Sequence, residues 1–170
     1  MRFFFASSFA LLLASPVAAW TEFNEKDRIT GVETVGISRK AQETILRPQR
    51  RAEQRAPVAV LLFRCEAGKP AVIYFVPDWL TAGRNKNLVQ YRFDKDKPVS
   101  SAGWIASEDS TGIGLWSKGQ VLSFLKSSAN KRTLLFRTQN PIFGETESSF
   151  DVSDLSEYYG KFLTSCKLKL

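Results

Sequence analysis

The segment Leu88–Asp109 carries the pattern that most constrains the fold. Val89, Tyr91 and Phe93 alternate with polar residues, and this period of two is typical of a half-buried β-strand. The run Lys95–Pro98 then interrupts the alternation with residues that favour a turn. The pattern therefore predicts a long β-hairpin over Leu88–Asp109, at the centre of a β-rich domain.

Further short apolar segments, bounded by glycine, proline and charged residues, predict more strands than helices. The nearly continuous apolar run Val58–Cys65 predicts a central strand that is buried on both faces. A turn at Gly68 would join it to the next strand as a hairpin. The predicted strands outside the Leu88–Asp109 hairpin cover residues 20–28, 29–38, 58–65, 71–76, 111–116, 132–138 and 147–152. The fold class is therefore expected to be mainly β.

Two helices are expected. Ser117 and Gln120 have the spacing of a capping box, so a helix begins after Ser117, and Asn130 ends it. Ser153 or Asp154 caps a final helix. Its apolar residues follow helical spacing and form one stripe, made of Leu155, Tyr159, Phe162 and Cys166.

The first 19 residues have the pattern of a secretory signal peptide. Arg2 precedes the apolar run Phe3–Leu13, and small residues at Val17–Ala19 form a cleavage site. The run is too short to span a bilayer, and no later segment approaches the about 20 apolar residues of a transmembrane helix. We expect cleavage near Ala19–Trp20 and a single exported domain over residues 20–170, periplasmic or secreted, without a transmembrane segment. The alternative is a retained N-terminal anchor.

The chain contains two cysteines, Cys65 and Cys166. An even count in an oxidising compartment predicts one disulfide bond. The bond would attach the final helix to the end of the Val58–Cys65 strand. Two buried free thiols are the alternative.

The most basic segment, Arg39–Pro57, predicts an exposed connection. Once residues 1–19 are removed, 23 basic residues stand against 17 acidic ones, a net charge of +6. This charge suits an anionic surface or an acidic partner better than nucleic acid in an exported protein. The alternative for the Arg-rich segment is a solvated loop without a partner, and the alternative for Trp79 is packing in the core. The candidate partner-binding residues are Arg47, Arg50, Arg51, Arg55 and Trp79.

The residue inventory predicts no catalytic, cofactor-binding or metal-binding site. The chain has no histidine, which excludes Ser-His-Asp and Cys-His catalysis and the commonest zinc ligands. Ser123 and Lys126 match an S-x-x-K pattern, but helical spacing places them opposite the apolar face. Paired carboxylates such as Asp94 and Asp96 fall in turns and helix caps, where aspartate is favoured for local reasons.

Several of these residues together resemble one family. The block V-x-Y-R-F-D at Val89–Asp94 is followed by Trp104 and by Ser107-x-Asp109; Arg64–Cys65 closes a strand and Cys166 lies near the end of the chain. Over about Val58–Cys166 the chain resembles the VasI-like family of type VI secretion-associated periplasmic proteins. The resemblance implies a small β-sandwich-like domain and an accessory, non-catalytic role near a secretion machine or the cell envelope, with another protein of that machinery as partner.

Two functions are favoured at this point, and a third, an envelope enzyme that uses paired carboxylates, is kept as a remote alternative. The first is a non-catalytic periplasmic accessory or binding protein, associated with a type VI secretion system or the cell envelope. The second is a secreted inhibitor or immunity-like protein that blocks a partner enzyme with an exposed loop, either the Arg-rich segment or the loop around Trp79.

Overall fold

Two antiparallel sheets packed face to face, as in a β-sandwich, form the protein. A computed structural model describes residues 19–47, 57–77, 88–101, 103–107, 111–140 and 144–170. In chain order, the elements are β1 (Thr21–Lys26), β2 (Glu33–Lys40), β3 (Glu43–Arg47), β4 (Val60–Glu66), β5 (Lys69–Phe75), β6 (Leu88–Phe93), β7 (Val99–Ser101), β8 (Ile105–Ala106), β9 (Gly112–Leu115), α1 (Lys118–Ser128), β10 (Thr133–Asn140), β11 (Gly144–Asp151), α2 (Leu155–Tyr158) and α3 (Gly160–Ser165).

The second sheet pairs strands that are further apart along the chain than those paired in the first sheet. The first sheet has the order β1-β2-β4-β5-β9-β8, and the second has the order β3-β11-β10-β6-β7. The predicted mainly β fold with few helices is confirmed. The predicted hairpin of β4 and β5 is confirmed as well, and its turn is formed by Ala67 and Gly68, which both have positive φ.

The hairpin predicted over Leu88–Asp109 is shorter than expected. β6 pairs with β7 over three residues, and the chain then crosses to the first sheet, where β8 pairs with β9. The crossing is caused by Trp104, which is 3% exposed and packs against Phe124 and Phe136. Because this large ring is buried between the sheets, the chain leaves the sheet edge instead of continuing the return strand.

The exposed connection predicted over Arg39–Pro57 is wrong for its first part. Arg39 lies in β2 and is 2% exposed, and residues 43–47 form β3, which pairs with β11. Burial of Arg39 is tolerated because its charge is paired with Asp151 and Asp154. Residues 48–56 of the predicted connection lie outside the described residues.

The core is centred on Phe63 of the central strand β4. Its ring is fully buried and contacts three other aromatic rings, those of Trp20, Phe124 and Phe162. These rings belong to the start of the domain, to α1 and to α3. One side chain therefore holds together elements that are far apart in the sequence.

The two predicted helix starts have different outcomes: Ser117 caps α1, whereas Asp154 stands at the N-cap position of α2, makes no capping hydrogen bond with its side chain and pairs with Arg39 instead. The Ser117 hydroxyl accepts the backbone N–H of Gln120 at the start of α1, as expected, and Asn130 follows the helix with a positive φ. The final helix, in contrast, is divided into α2 and α3 at Tyr159, beside Gly160, a residue with low helix propensity. Its predicted apolar stripe still faces the core, since Leu155, Phe162 and Cys166 are buried.

The predicted disulfide bond joins Cys65 of β4 to Cys166 after α3. The two residues are 101 positions apart, and their Cα atoms are 5.6 Å apart. The bond therefore attaches the C-terminal helix to the central strand, two residues from Phe63.

Breaking this bond should lower stability substantially. For a loop of this length, the chain-entropy model gives about 4.7 kcal/mol as an upper value. Urea unfolding of the oxidised protein and of a Cys65→Ala/Cys166→Ala variant should give a clearly lower midpoint for the variant. Equal midpoints, with the wild-type disulfide verified by intact mass after alkylation, would show that the bond contributes nothing to stability.

Trp20 should be required for stability although it stands at the start of the domain. Trp20 is 4% exposed and its ring contacts Phe63. Its indole N–H donates a hydrogen bond to Asp154 at 3.1 Å. Replacing such a ring with alanine costs about 3–5 kcal/mol. We expect that loss for Trp20→Ala in thermal or urea unfolding, and no loss for the control Ile29→Ala, whose side chain is 96% exposed. A Trp20→Ala protein as stable as the control would contradict the packing of this ring.

Candidate functional site

The outer face of the first sheet, the side turned away from the second sheet, carries apolar side chains among polar and charged ones. Successive side chains of a strand point to opposite faces. Three residues of β4 point into the sandwich and are buried, namely Leu61, Phe63 and Cys65. The alternating residues lie on the outer face and are half-buried, namely Val60, Leu62 and Arg64. The apolar run that predicted burial on both sides of β4 is therefore covered on one side, and the other side forms a surface.

Two aromatic rings lie on this face above glycines. In the strand register, Phe23 is paired with Gly36, and Gly36 is paired with Arg64. A side chain at Gly36 would collide with the Phe23 ring, so glycine is what lets the ring lie against the sheet. In the same way, a Cβ atom at Gly114 would be 3.0 Å from the Trp116 ring.

Arg64 lies between the two rings. Its guanidinium carbon is 5.9 Å from the centre of the Trp116 ring, within cation–π distance, and its Nη2 is 3.3 Å from Glu66 Oε2. The Trp116 indole N–H donates to the carbonyl of Ile105 at 3.1 Å, which fixes the orientation of the ring. Phe23, Arg64 and Trp116 together are called the aromatic row below.

Smaller residues and aliphatic side chains lie beside the aromatic row. Ser38, Leu62, Ile73 and Gly114 are successive partners across the sheet, and Val60 is paired with Phe75. Ile73 among them is only 7% exposed. A depression of about 680 Å³ lies at the Phe23 end of the row, where Leu62 and Arg64 line it together with mostly polar and charged residues of β1, β2 and the turn between them. Aromatic and arginine side chains at the centre of an apolar patch are the groups that contribute most to protein–protein binding.

The outer face of the second sheet is distinguished by its ion pairs, although it also carries Leu88, which is 67% exposed. Its strands β3, β10 and β11 carry a ladder of ion pairs, in which Arg47 is 2.8 Å from Glu145 and Arg137 is 2.6 Å from Glu147. A protein face that is meant to stay in water is typically covered by interspersed charges of this kind. Among the described strand residues, this face carries no aromatic ring, so the first sheet, with its aromatic row, is the candidate binding side.

Of the partner-binding residues predicted from the sequence, only Arg47 lies among the described residues, and it does not belong to the aromatic row. Arg47 lies on the outer face of the second sheet and is engaged by Glu145. The remaining candidates, Arg50, Arg51, Arg55 and Trp79, lie outside the described residues. No comparison tests these four positions, and they stay predictions.

A buried ion cluster joins the start of the domain to its C-terminal part. Arg39 Nη1 is 2.5 Å from Asp154 Oδ1, and Arg39 Nη2 is 3.4 Å from Asp151 Oδ2. Burial raises the pKa of Asp151, but hydrogen bonds from Ser153 and the Arg39 charge outweigh it and hold that pKa below its ordinary value. Because the guanidinium is 2% exposed and paired on both sides, the cluster is a structural connection.

The carboxylates and the S-x-x-K pattern noted in the sequence also have structural positions. Asp94 has a positive φ, and its Oδ1 accepts the backbone N–H groups of Arg132 and Thr133 at 3.0 and 2.8 Å. Ser123 and Lys126 are exposed on the outer side of α1. Asp94 therefore fixes the start of β10 against the end of β6.

The aromatic row could have been found only partly from the sequence. The apolar residues on both faces of the Val58–Cys65 run are a signal of apolar side chains on the outer face, but the same pattern predicts a strand that is buried on both faces. The rings of Phe23 and Trp116 gave no such signal, because their positions above Gly36 and Gly114 depend on strand register between distant segments.

Neither a protein-family model, nor a curated protein, nor a solved structure matches the chain. Within the described residues, no group of three or more histidine, cysteine, aspartate or glutamate residues could hold a metal ion. No helix among those residues is both long and apolar enough to cross a membrane.

Acid should destabilise the protein in part through Asp94. The hydrogen bond from the Thr133 backbone is the largest cause that lowers the pKa of Asp94 below 3.8; burial opposes it, and the Arg132 backbone and nearby positive charges reinforce it. A lowered pKa stabilises the folded state above about pH 4, and this stabilisation is lost as the pH falls through the folded-state pKa.

We therefore expect the melting temperature of Asp94→Asn to fall less than that of the wild type between about pH 7 and about pH 2.5. Asparagine tolerates the positive φ of this position, so the substitution removes mainly the charge. Parallel melting curves of the two proteins over the whole pH range would rule out this contribution of Asp94.

Proposed function

We propose that the protein is an exported, non-catalytic accessory protein that binds a partner protein of the cell envelope or of a type VI secretion system through the aromatic row. The observation that carries the proposal is the aromatic row on the outer face of the first sheet, with Arg64 between two aromatic rings. Aromatic and arginine side chains are enriched where proteins bind one another.

The chemistry of the face favours a protein as partner. Trp116 and Phe23 offer large, rigid apolar surfaces that lose little conformational entropy on binding, while Arg64 can pair with a carboxylate or a carbonyl of the partner. Glu66 engages Arg64 at 3.3 Å in the free protein, at a site where both side chains are partly exposed. An acidic group of a partner can replace Glu66 at little cost, because exposed ion pairs contribute little to stability.

Export is supported by three observations. The Cys65–Cys166 disulfide is of a kind that forms and persists mainly in oxidising compartments such as the periplasm. Trp20, the residue that follows the expected cleavage site, is buried in the core, and Ala19 before it is exposed. The resemblance to the VasI-like family supports the periplasm and the accessory role in the same way.

The first experiment is crosslinking in intact cells with a tagged protein, followed by purification and mass spectrometry of the partners. Recovery of envelope or secretion-system components would support the proposal. Recovery of one soluble enzyme in stoichiometric amount, together with inhibition of that enzyme, would overturn it in favour of an inhibitor.

Substitutions on the two outer faces should separate binding from folding. We expect Arg64→Glu and Trp116→Ala to weaken partner binding by about 2 kcal/mol each, or about 30-fold in Kd, the usual effect at the centre of an interface. Arg92→Glu is the matched control, because Arg92 is an exposed arginine on a strand of the second sheet, on its outer face. Binding measured by surface plasmon resonance should be unchanged for the control. Equal binding by all three variants would exclude the aromatic row as the binding site.

A further inference from the structure

The outermost strand of the first sheet, β1, has only one neighbouring strand among the described residues. It is paired with β2 and stands at the end of the strand order, and five of its six residues are exposed. An edge strand presents backbone N–H and C=O groups that a further strand can pair with.

The hydrogen-bond pattern shows which residues carry these outward groups. The Asp27 N–H donates to the carbonyl of Val32, the residue just before β2, at 2.9 Å. Asp27 therefore directs its backbone N–H towards the β2 side of β1. In an antiparallel pair, the residues of one strand alternate between those bonded to the neighbour and those facing away from it. Counting back from Asp27, the residues of β1 that face away from β2 are Glu22, Asn24 and Lys26.

We propose that β1 pairs with β1 of a second copy of this chain, antiparallel, with Asn24 opposite its own counterpart across a twofold axis. In this register, Glu22 of one copy lies opposite Lys26 of the other, and the same pair occurs again on the other side of the axis. All outward-facing residues of β1 then exchange backbone hydrogen bonds with their partners.

The charges of β1 select this register and this occupant. Opposite charges placed directly across a strand pair stabilise it, and like charges destabilise it. A register shifted by two residues would place Glu22 opposite Asn24, with fewer backbone bonds and no charge pair. A twofold arrangement requires a self-complementary sequence. Glu22 and Lys26, placed symmetrically about Asn24, give β1 that property.

The neighbouring helix leaves room for a second copy. α3 packs on β2 and β4, not over the free edge, and a groove of about 640 Å³ separates it from β1. Neighbouring strands are about 4.8 Å apart, so the two β2 strands of the pair would be about 14 Å apart. This separation exceeds the about 10 Å diameter of a helix, so each copy keeps its own α3 without collision.

Lys161 of α3 contributes a further charge to the pair. Its ammonium forms an ion pair with Glu22 across the groove. Glu22 would then stand between Lys161 of its own copy and Lys26 of the other, which neutralises the carboxylate in the pair. On the opposite side of the sheet, the two Phe23 residues become diagonal neighbours, so the aromatic rows of the two copies form one continuous surface.

The test is sedimentation equilibrium of the purified, disulfide-bonded protein between about 10 μM and about 1 mM, the range expected for a small interface. We expect a monomer–dimer equilibrium. Asn24→Pro removes the central outward N–H and should shift dissociation at least about tenfold, whereas Asn24→Ala retains that N–H and should dimerise like the wild type. Equal melting temperatures of the two variants verify that the β1–β2 ladder is intact.

Charge reversal keeps the proposal testable if the proline variant does not fold. Glu22→Lys and Lys26→Glu should each remain monomeric when alone, because every charge pair across the axis becomes a like-charge pair. An equimolar mixture of the two variants restores opposite charges at both positions and should dimerise. A wild type that stays monomeric up to about 1 mM would overturn the proposal. A dimer that survives both single reversals, or a mixture that does not associate, would also overturn it.

Discussion

The structure depends on the contacts of one buried ring, Phe63, on the central strand of the first sheet. Trp20, Phe124 and Phe162 meet there, with ring centres 5.6 to 6.2 Å from that of Phe63. The domain start, the internal helix and the C-terminal helix therefore share one packing site. The disulfide at Cys65, on the same strand and the same face, makes the last of these contacts covalent.

Much of the secondary structure follows from local patterns. The alternation in β6, the apolar run of β4 and the Ser117 cap each determine their element within a few residues, so these predictions were confirmed. The disulfide followed from cysteine count and compartment. The course of the chain between sheets could not be predicted in this way: the crossing after β7 depends on where Trp104 is buried, and the burial of Arg39 depends on Asp151 and Asp154, more than 100 residues later.

The candidate site was less accessible to prediction than the fold. A basic segment can be recognised from the sequence alone, and for this reason the predicted partner-binding residues include Arg47 and its basic neighbours. The aromatic row is visible only after strands are paired, because Phe23, Arg64 and Trp116 come from β1, β4 and the residue after β9. The outer faces of the two sheets both mix apolar and charged residues, but in the described strands only the first carries aromatic rings, and the second carries more ion pairs. This difference favours the first sheet as the binding side.

The position of β3 in the second sheet has a consequence for the order of folding. β3 comes early in the chain, yet its only strand partner in the described residues is β11, about 100 residues further on. Arg39, just before β3, likewise has its charge partners at and just after the end of β11. Closing such a long loop costs entropy before any contact compensates for it, which makes folding slow. β3 and Arg39 can therefore take their native positions only once the chain has been made beyond β11.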